Sequence, residues 1–269
     1  MTRLFVLGSG SRGNCFAVET DGAVLLIDAG FSAREIERRA TAVGLDLART
    51  VGIALTHEHG DHATGAARLA RRLAAPILTA PGTWAQLRAD ARRAEHRPLG
   101  LCAAVELAGF RVTACPTSHD AAEPLAIAID TADGHRVGVA YDLGRPTAAV
   151  RYLLRNLTAV VLEANHDDVL LRTSGYPASV QQRIAGSGGH LSNRACAELL
   201  EEVHHPGLGT VVLAHLSQRC NTAASARAAI EPVLRQAGFA GELHVAEQDT
   251  PLAPIDVHAP GPYQLQLAM

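Results

Sequence analysis

Three histidines and an aspartate, all able to bind a metal, fall within the six residues His57-Glu58-His59-Gly60-Asp61-His62, just after the apolar run Val51 to Leu55. A tight loop leaving a strand presents imidazoles and a carboxylate in alternate directions, enough to begin two adjacent metal sites. Further ligands must come from elsewhere. His119 follows the apolar run Phe110 to Cys115, Asp142 follows Arg136 to Tyr141, and His215 follows Gly209 to Ala214. Each sits where a strand gives way to a loop, so all of them can gather along one edge of a rigid scaffold. Two divalent ions held there would bring the pKa of a shared water toward neutrality and supply a bridging hydroxide for hydrolysis. Zinc suits the imidazole-rich set, and manganese also tolerates nitrogen and oxygen donors.

The elements that must position these groups are legible as alternating strands and helices. Arg3 to Leu7, Cys15 to Thr20 and Ala23 to Asp28 read as strands, the first two joined by the glycine-rich segment Gly8 to Gly13. That segment is either a tight hairpin turn or a loop reaching substrate. Ser32-Ala-Arg-Glu35 is a capping-box pattern opening a helix that stops at Gly44, and Ala63 to Ala74 has helical spacing. Leu125 to Asp130, Ala159 to Glu163 and Leu243 to Val245 are further strands; Thr147 to Leu154, Asn193 to Val203 and Thr222 to Gln236 are helices. Strand clusters interleaved with helices predict two sheets with helices outside them, a four-layer αββα sandwich in one domain spanning 1–269. From about residue 250 the pattern dissolves into an irregular, proline-containing tail.

Composition agrees with one layered α/β domain of 269 residues: 48% of them are hydrophobic and only 4% aromatic, so the core is aliphatic. A net charge of −3 gives no global attraction to a polyanion, so any nucleic-acid contact needs a local patch. Arg34, Arg38 and Arg39, with Arg68, Arg71, Arg72, Arg92, Arg93 and Arg97, are candidates for one. Cys15, Cys102, Cys115, Cys196 and Cys220 form no C-x-x-C pair and read as reduced structural thiols. With no signal-like or membrane-length apolar run, cytoplasmic residence and no membrane partner are expected. His96, His135, His204, His205, His244 and His258 read as ordinary surface or core histidines, and Asp28 as a hydrogen-bonding support for the metal loop.

The ordered ligand set, with Gly8-Ser-Gly-Ser-Arg-Gly-Asn14, Leu26-Ile-Asp-Ala-Gly30, Thr117-Ser-His-Asp-Ala121, Leu162-Glu-Ala-Asn-His-Asp167, Gly189-His-Leu-Ser-Asn193 and Ala214-His-Leu-Ser217, resembles the metallo-β-lactamase superfamily and within it the YycJ/WalJ-like branch. The resemblance implies His57, His59 and His119 on one metal, Asp61, His62 and His215 on the other, and Asp142 bridging them. It implies a DNA exonuclease, with a small-molecule or cyclic phosphodiesterase as the alternative and a non-catalytic metal-binding regulator as a remote one. By resemblance to ribonuclease Z-like relatives, His190 is the candidate proton donor, paired with Glu163; His166 is the second candidate. Gly186 to Asn193 approaches a helix N-terminus where amides can receive a phosphate, which makes Ser192 and Asn193 candidate substrate contacts. Relatives usually carry a Thr before the bridging Asp and an Asn pair after the final His-Leu-Ser; this chain has Tyr141 and Cys220-Asn221. The chain shows no ribonuclease Z-like arm, no room for a β-CASP insertion between Asp142 and His215, and no glyoxalase II-like C-terminal domain.

Overall fold

The computed structural model describes residues 1–101 and 103–259. Cys102 and the tail from 260 to 269 lie outside the described residues. β1 (Arg3–Gly8), β2 (Cys15–Thr20), β3 (Ala23–Ile27), β4 (Thr50–Ala54), β5 (Ile77–Thr79) and β6 (His96–Pro98) lie side by side in one sheet. β7 (Val105–Leu107), β8 (Phe110–Pro116), β9 (Leu125–Thr131), β10 (Arg136–Ala140), β11 (Ala159–Glu163), β12 (Thr210–Ala214) and β13 (Glu242–Val245) form the second. A final short strand, β14 (Ile255–Asp256), returns to the first sheet beside β1.

Strict alternation along the strands decides which layer each side chain enters. In β1, Leu4 and Val6 enter the core between the sheets, where they meet Ile127, Val139 and Val161. Phe5 and Leu7 point the other way, into a second cluster under α1 (Ala33–Ala42), with Ile36 and Leu69. On the far side of the second sheet, Val160, Leu162 and Leu213 pack with Val150, Leu200 and Ile230. Three apolar layers between four structural layers make the expected αββα sandwich. No described helix is long and apolar enough to cross a membrane.

The remaining helices are α2 (Gly60–Ala63), α3 (Ala66–Leu73), α4 (Pro81–Gln86), α5 (Ala148–Leu153), α6 (Asp168–Arg172), α7 (Ala178–Ala185), α8 (Asn193–Val203) and α9 (Ala223–Gln236). The helix expected over 63–74 is in fact two helices, because Gly65 donates its N–H to Ala29 O at 2.7 Å and lies so near Phe31 that a Cβ would sit 2.4 Å from that residue's carbonyl oxygen. The capping box is half formed. Ser32 caps the Glu35 N–H, while the Glu35 carboxylate turns to Arg38 and Arg39.

The described part of the tail is irregular apart from β14, yet backbone pairing fastens it to the first sheet. Beyond residue 250, Leu252 N–H donates to Val6 O, Ile255 pairs with Leu4, and Val257 N–H donates to Thr2 O. Ile255 and Val257 also fill the inter-sheet core, which the neighbouring prolines Pro251 and Pro254 disguised in the sequence. Burying each such side chain is worth roughly 1.5–3 kcal/mol before the cost of ordering the segment. A chain ending at Asp249 should therefore melt several degrees below the full chain by circular dichroism; an unchanged midpoint would show that this strand adds no stability.

Candidate metal centre

Both sheets follow one plan: an antiparallel half, then a parallel half. β2 and β3 pair antiparallel but β3 and β4 parallel; β9 and β10 pair antiparallel but β10 and β11 parallel. Ligands gather where strand order switches, at the carboxyl ends of the parallel strands. Here those ends deliver Asp28 after β3, the Thr56–His62 loop after β4, Asp142 after β10, Glu163 at the end of β11 and His215 after β12. Asp28, Asp142 and His215 all have φ near +56°, in the left-handed region that side chains other than glycine rarely adopt (57°, 55° and 56°). Each costs on the order of 1 kcal/mol, tolerated where geometry at a site demands it.

The expected ligands do converge. Atoms of His57, His59 and His119 lie within 4.8 Å of one another, as do those of Asp61, His62 and His215. Between the two groups lies Asp142. Its carboxylate is 2.9 Å from His62 Nε2, 3.8 Å from His57 Nε2, 3.9 Å from His119 Nε2 and 3.4 Å from His215 Nδ1. Asp142 Oδ2 and His215 Nε2 are buried without any hydrogen-bond partner. Buried orphans of this kind are rare in a folded protein, and their donor chemistry fits divalent cations.

Most of the imidazoles are oriented by a group behind them, as metal-binding histidines require, while His59, among the described residues, meets only His57 in this way, at 3.0 Å. Asp28, fully buried, accepts from His62 Nδ1 at 2.6 Å and from Thr56 Oγ1 at 2.8 Å, and Thr56 Oγ1 in turn lies 3.1 Å from His57 Nδ1. Glu163, equally buried, lies 3.1 Å from His215 Nδ1 and 2.8 Å from His190 Nδ1, and accepts the amides of Leu143 and Leu191. His119 Nδ1 is 3.2 Å from Gly189 O. Asp120 faces the other ring nitrogen, His119 Nε2, at 3.3 Å.

The charges are strongly coupled. Burial and its cationic neighbours push His57 well below the ordinary imidazole value. Burial also opposes charge on His62, His215 and His190, but adjacent carboxylates outweigh it: Asp142 and Asp28 raise His62 well above its usual value, Asp142, Asp61 and Glu163 raise His215 to about 9, and Glu163 with Asp142 raises His190 to about 10. Asp142 falls well below the carboxylate range despite burial, through His215 and His62, and Glu163 falls to about 2 through His190 and His215.

Above the cluster opens a cavity of about 330 Å³ whose walls include His59, Asp61, His119, Asp142, His190 and His215. The other sequence candidates lie behind it or within the fold. His166 is buried, its Nδ1 unpartnered and its pKa lowered by burial. Ser192 caps α8 through the Ala195 N–H, and the Asn193 side chain exchanges hydrogen bonds with Asn221, so their polar atoms are engaged in structure. The phosphate cradle expected at Gly186–Asn193 is largely spent: the amides of Gly186, Gly189, His190, Leu191 and Asn193 all donate within the protein. The arginine clusters are likewise partly neutralised, Arg38 and Arg39 by Glu35, Arg72 by Glu37 and Arg97 by Glu95.

Sequence reading missed two supports. Tyr141 is buried and donates its hydroxyl to Asp28 at 2.6 Å. The Gly8–Gly13 loop seats the centre from the other side: Ser9 Oγ accepts the His215 N–H at 2.8 Å, and Asn14 N–H donates to Asp61 O. An aromatic ring before Asp142 was visible, but nothing local could show that its hydroxyl reaches a residue 113 positions away.

Residues 24–216 match the family described as a beta-lactamase superfamily domain, and the chain belongs to that superfamily. It is a metal-dependent hydrolase of the metallo-β-lactamase fold. Exodeoxyribonuclease YycJ of Bacillus anthracis is 31% identical over 253 residues, covering 91% of this chain and 96% of that protein. Exodeoxyribonuclease WalJ of Streptococcus pneumoniae serotype 2 is 29% identical over 226 residues, covering 80% and 82%. The metallo-β-lactamase fold protein YhfI from Bacillus subtilis superposes with a TM-score of 0.69 at 17% identity, over 93% of this chain and 98% of that one.

Two outcomes follow from the supports and charges. Asp28→Ala strips the acceptor from four buried donors and should weaken metal affinity about 10–100-fold in chelator competition, whereas Tyr141→Phe removes one donor and should cost stability only about 1 kcal/mol. Equal metal affinity in Asp28→Ala and the parent chain would contradict the role given to Asp28. Without metal, His62 and His215 hold protons at pH 7 because their pKa values are raised. Ligation needs them neutral, so zinc uptake in weak buffer should acidify the solution, and affinity should fall as pH drops from about 9 toward 7. A zinc titration with no proton release would refute this.

Proposed function

We propose that this chain is a two-metal phosphodiesterase acting on DNA ends, an exodeoxyribonuclease. The observation that carries the reading is the single carboxylate, Asp142, standing between two complete ligand groups with an oriented imidazole, His190, beside it. The similarity to two proteins named exodeoxyribonucleases supports DNA as the substrate. His57, His59 and His119 would hold one ion, Asp61, His62 and His215 the other, with Asp142 shared. When bound, such a pair lowers the pKa of a coordinated water and draws charge from a phosphoryl oxygen; zinc fits the donors best, and manganese is also accommodated.

The protein's own groups supply the rest. His190 Nδ1 is committed to Glu163 and Asp142, at 2.8 and 3.1 Å. Any proton it delivers to the departing sugar oxygen therefore leaves from Nε2. Glu163 has no exposure to substrate and acts through His190 and His215, fixing the orientation of both rings. The cavity admits a group of roughly nucleotide size, in keeping with release of one residue at a time and equally with a small phosphodiester.

End-labelled linear duplex DNA and a bis-aryl phosphodiester, each with zinc or manganese and a chelator control, test the proposal. Metal-dependent release of nucleotides from DNA ends is expected; cleavage of the small ester alone would turn the reading to a small-molecule phosphodiesterase. Asp61→Ala should abolish hydrolysis. His190→Ala should lower kcat about 10²–10⁴-fold with metal content unchanged, and loss of metal in that variant would place His190 among the ligands instead.

A further inference from the structure

A catalytic cavity walled by Asp61, Asp120 and Asp142 repels a polyanion unless something besides the metal ions offsets it, and the chain as a whole is acidic. Among the described residues, Arg183, on α7, is the one arginine lining that cavity. Elsewhere, arginines are commonly held by carboxylates: Arg38 by Glu35, Arg136 by Asp130, Arg194 by Glu198. Among the described residues the Arg183 side chain makes no ion pair or hydrogen bond. The sequence has no lysine: all 24 of its lysine-or-arginine positions are arginine, whose planar fork matches two phosphate oxygens at once.

The backbone of Arg183 is registered to the catalytic groups. The turn leaving α7 folds back on it: Gly186 N–H donates to Arg183 O, His190 N–H donates to Ile184 O at 2.8 Å, and Gly189 offers its own carbonyl to His119. A Cβ on Gly189 would stand 2.2 Å from both Arg183 O and Ile184 O, so only glycine permits this close approach. One rigid turn thus fixes the proton donor, one ligand and the base of the arginine. The cavity wall beside the ligand groups is already occupied by imidazoles and carboxylates, whereas α7 has no buried residue and Arg183 is exposed.

We infer that Arg183 binds the phosphate adjoining the scissile one, seating the next nucleotide of the strand. This rests on the nuclease reading above. Arg183→Ala, Arg183→Lys and the parent enzyme, all metal-loaded with metal content verified, would be compared on a single-stranded thymidine octanucleotide and on bis(4-nitrophenyl) phosphate, which lacks a neighbouring phosphate. For Arg183→Ala the octanucleotide KM should rise about tenfold, and the slope of log(1/KM) against log salt should be shallower by about 0.7, one phosphate contact on a single strand. The small ester should be hydrolysed as before. Arg183→Lys should restore the salt slope but only part of the affinity, because a point charge replaces the fork. An unchanged octanucleotide KM and slope, or equal losses on both substrates, would overturn the inference. A parent enzyme that hydrolyses the ester but releases nothing from either the octanucleotide or linear duplex DNA would instead remove the nuclease reading, and this inference with it, before any variant is compared; release from the duplex alone would overturn this inference for single strands and leave the nuclease reading standing.

Discussion

The site depends first on a carboxylate that touches no substrate. Asp28 is fully buried and accepts from four donors: the Thr56 amide, the Thr56 hydroxyl, His62 Nδ1 and the Tyr141 hydroxyl. A buried carboxylate is costly unless its lone pairs are all used, and here their use joins three strand ends. Thr56 and His62 belong to the loop after β4, and Tyr141 comes from the opposite sheet. The hydrogen bonds that satisfy Asp28 therefore also set the distance between the two sheets at the edge where the ligands meet.

Glu163 plays the matching part in the second sheet. Its carboxylate spans His190 and His215 and takes the amides of Leu143 and Leu191, tying the loop after β10 to the turn before α8. The two are displaced by one strand: Asp28 follows β3, where pairing changes from antiparallel to parallel, whereas Glu163 ends β11, the parallel neighbour of the corresponding strand β10. Orienting groups buried at the carboxyl ends of parallel-paired strands leave the cavity to the ligands themselves. Preorganisation of this kind means that little rearrangement is needed when charge develops during reaction.

How much of this was legible depended on the range of the interaction. The four ligand-type residues between His57 and His62 are local, and the strand-end positions of His119, Asp142 and His215 are recoverable from apolar runs. β2, β9, β11 and β12 stand out as near-continuous apolar runs because both of their faces are buried, and β8 stands out by alternation because one of its faces is partly exposed. Three-residue strands such as β5 and β6 carry too little pattern to stand out. Ser192 and Asn193 looked available beside a glycine-rich turn, yet a cap and an Asn221 partner, 28 positions away, absorb them. Helical spacing over 63–74 was genuine, but a contact of Gly65 with residues 29–31 breaks the helix, and no local rule foretells it.

The Gly8–Gly13 loop, which seats the amide of His215, is itself clamped by a segment far along the chain: Gln248 Oε1 accepts the Arg12 amide, Gln248 Nε2 donates to Gly13 O, and Ser9 N–H donates to Glu247 O. Synthesis is directional, and 236 positions separate Arg12 from Gln248. At roughly 5–20 residues per second, that interval lasts on the order of 10–50 s. For that time the Gly8–Gly13 loop of a growing polypeptide lacks its clamp, and the seat of His215, a residue made shortly before Gln248, closes only once that late segment has emerged.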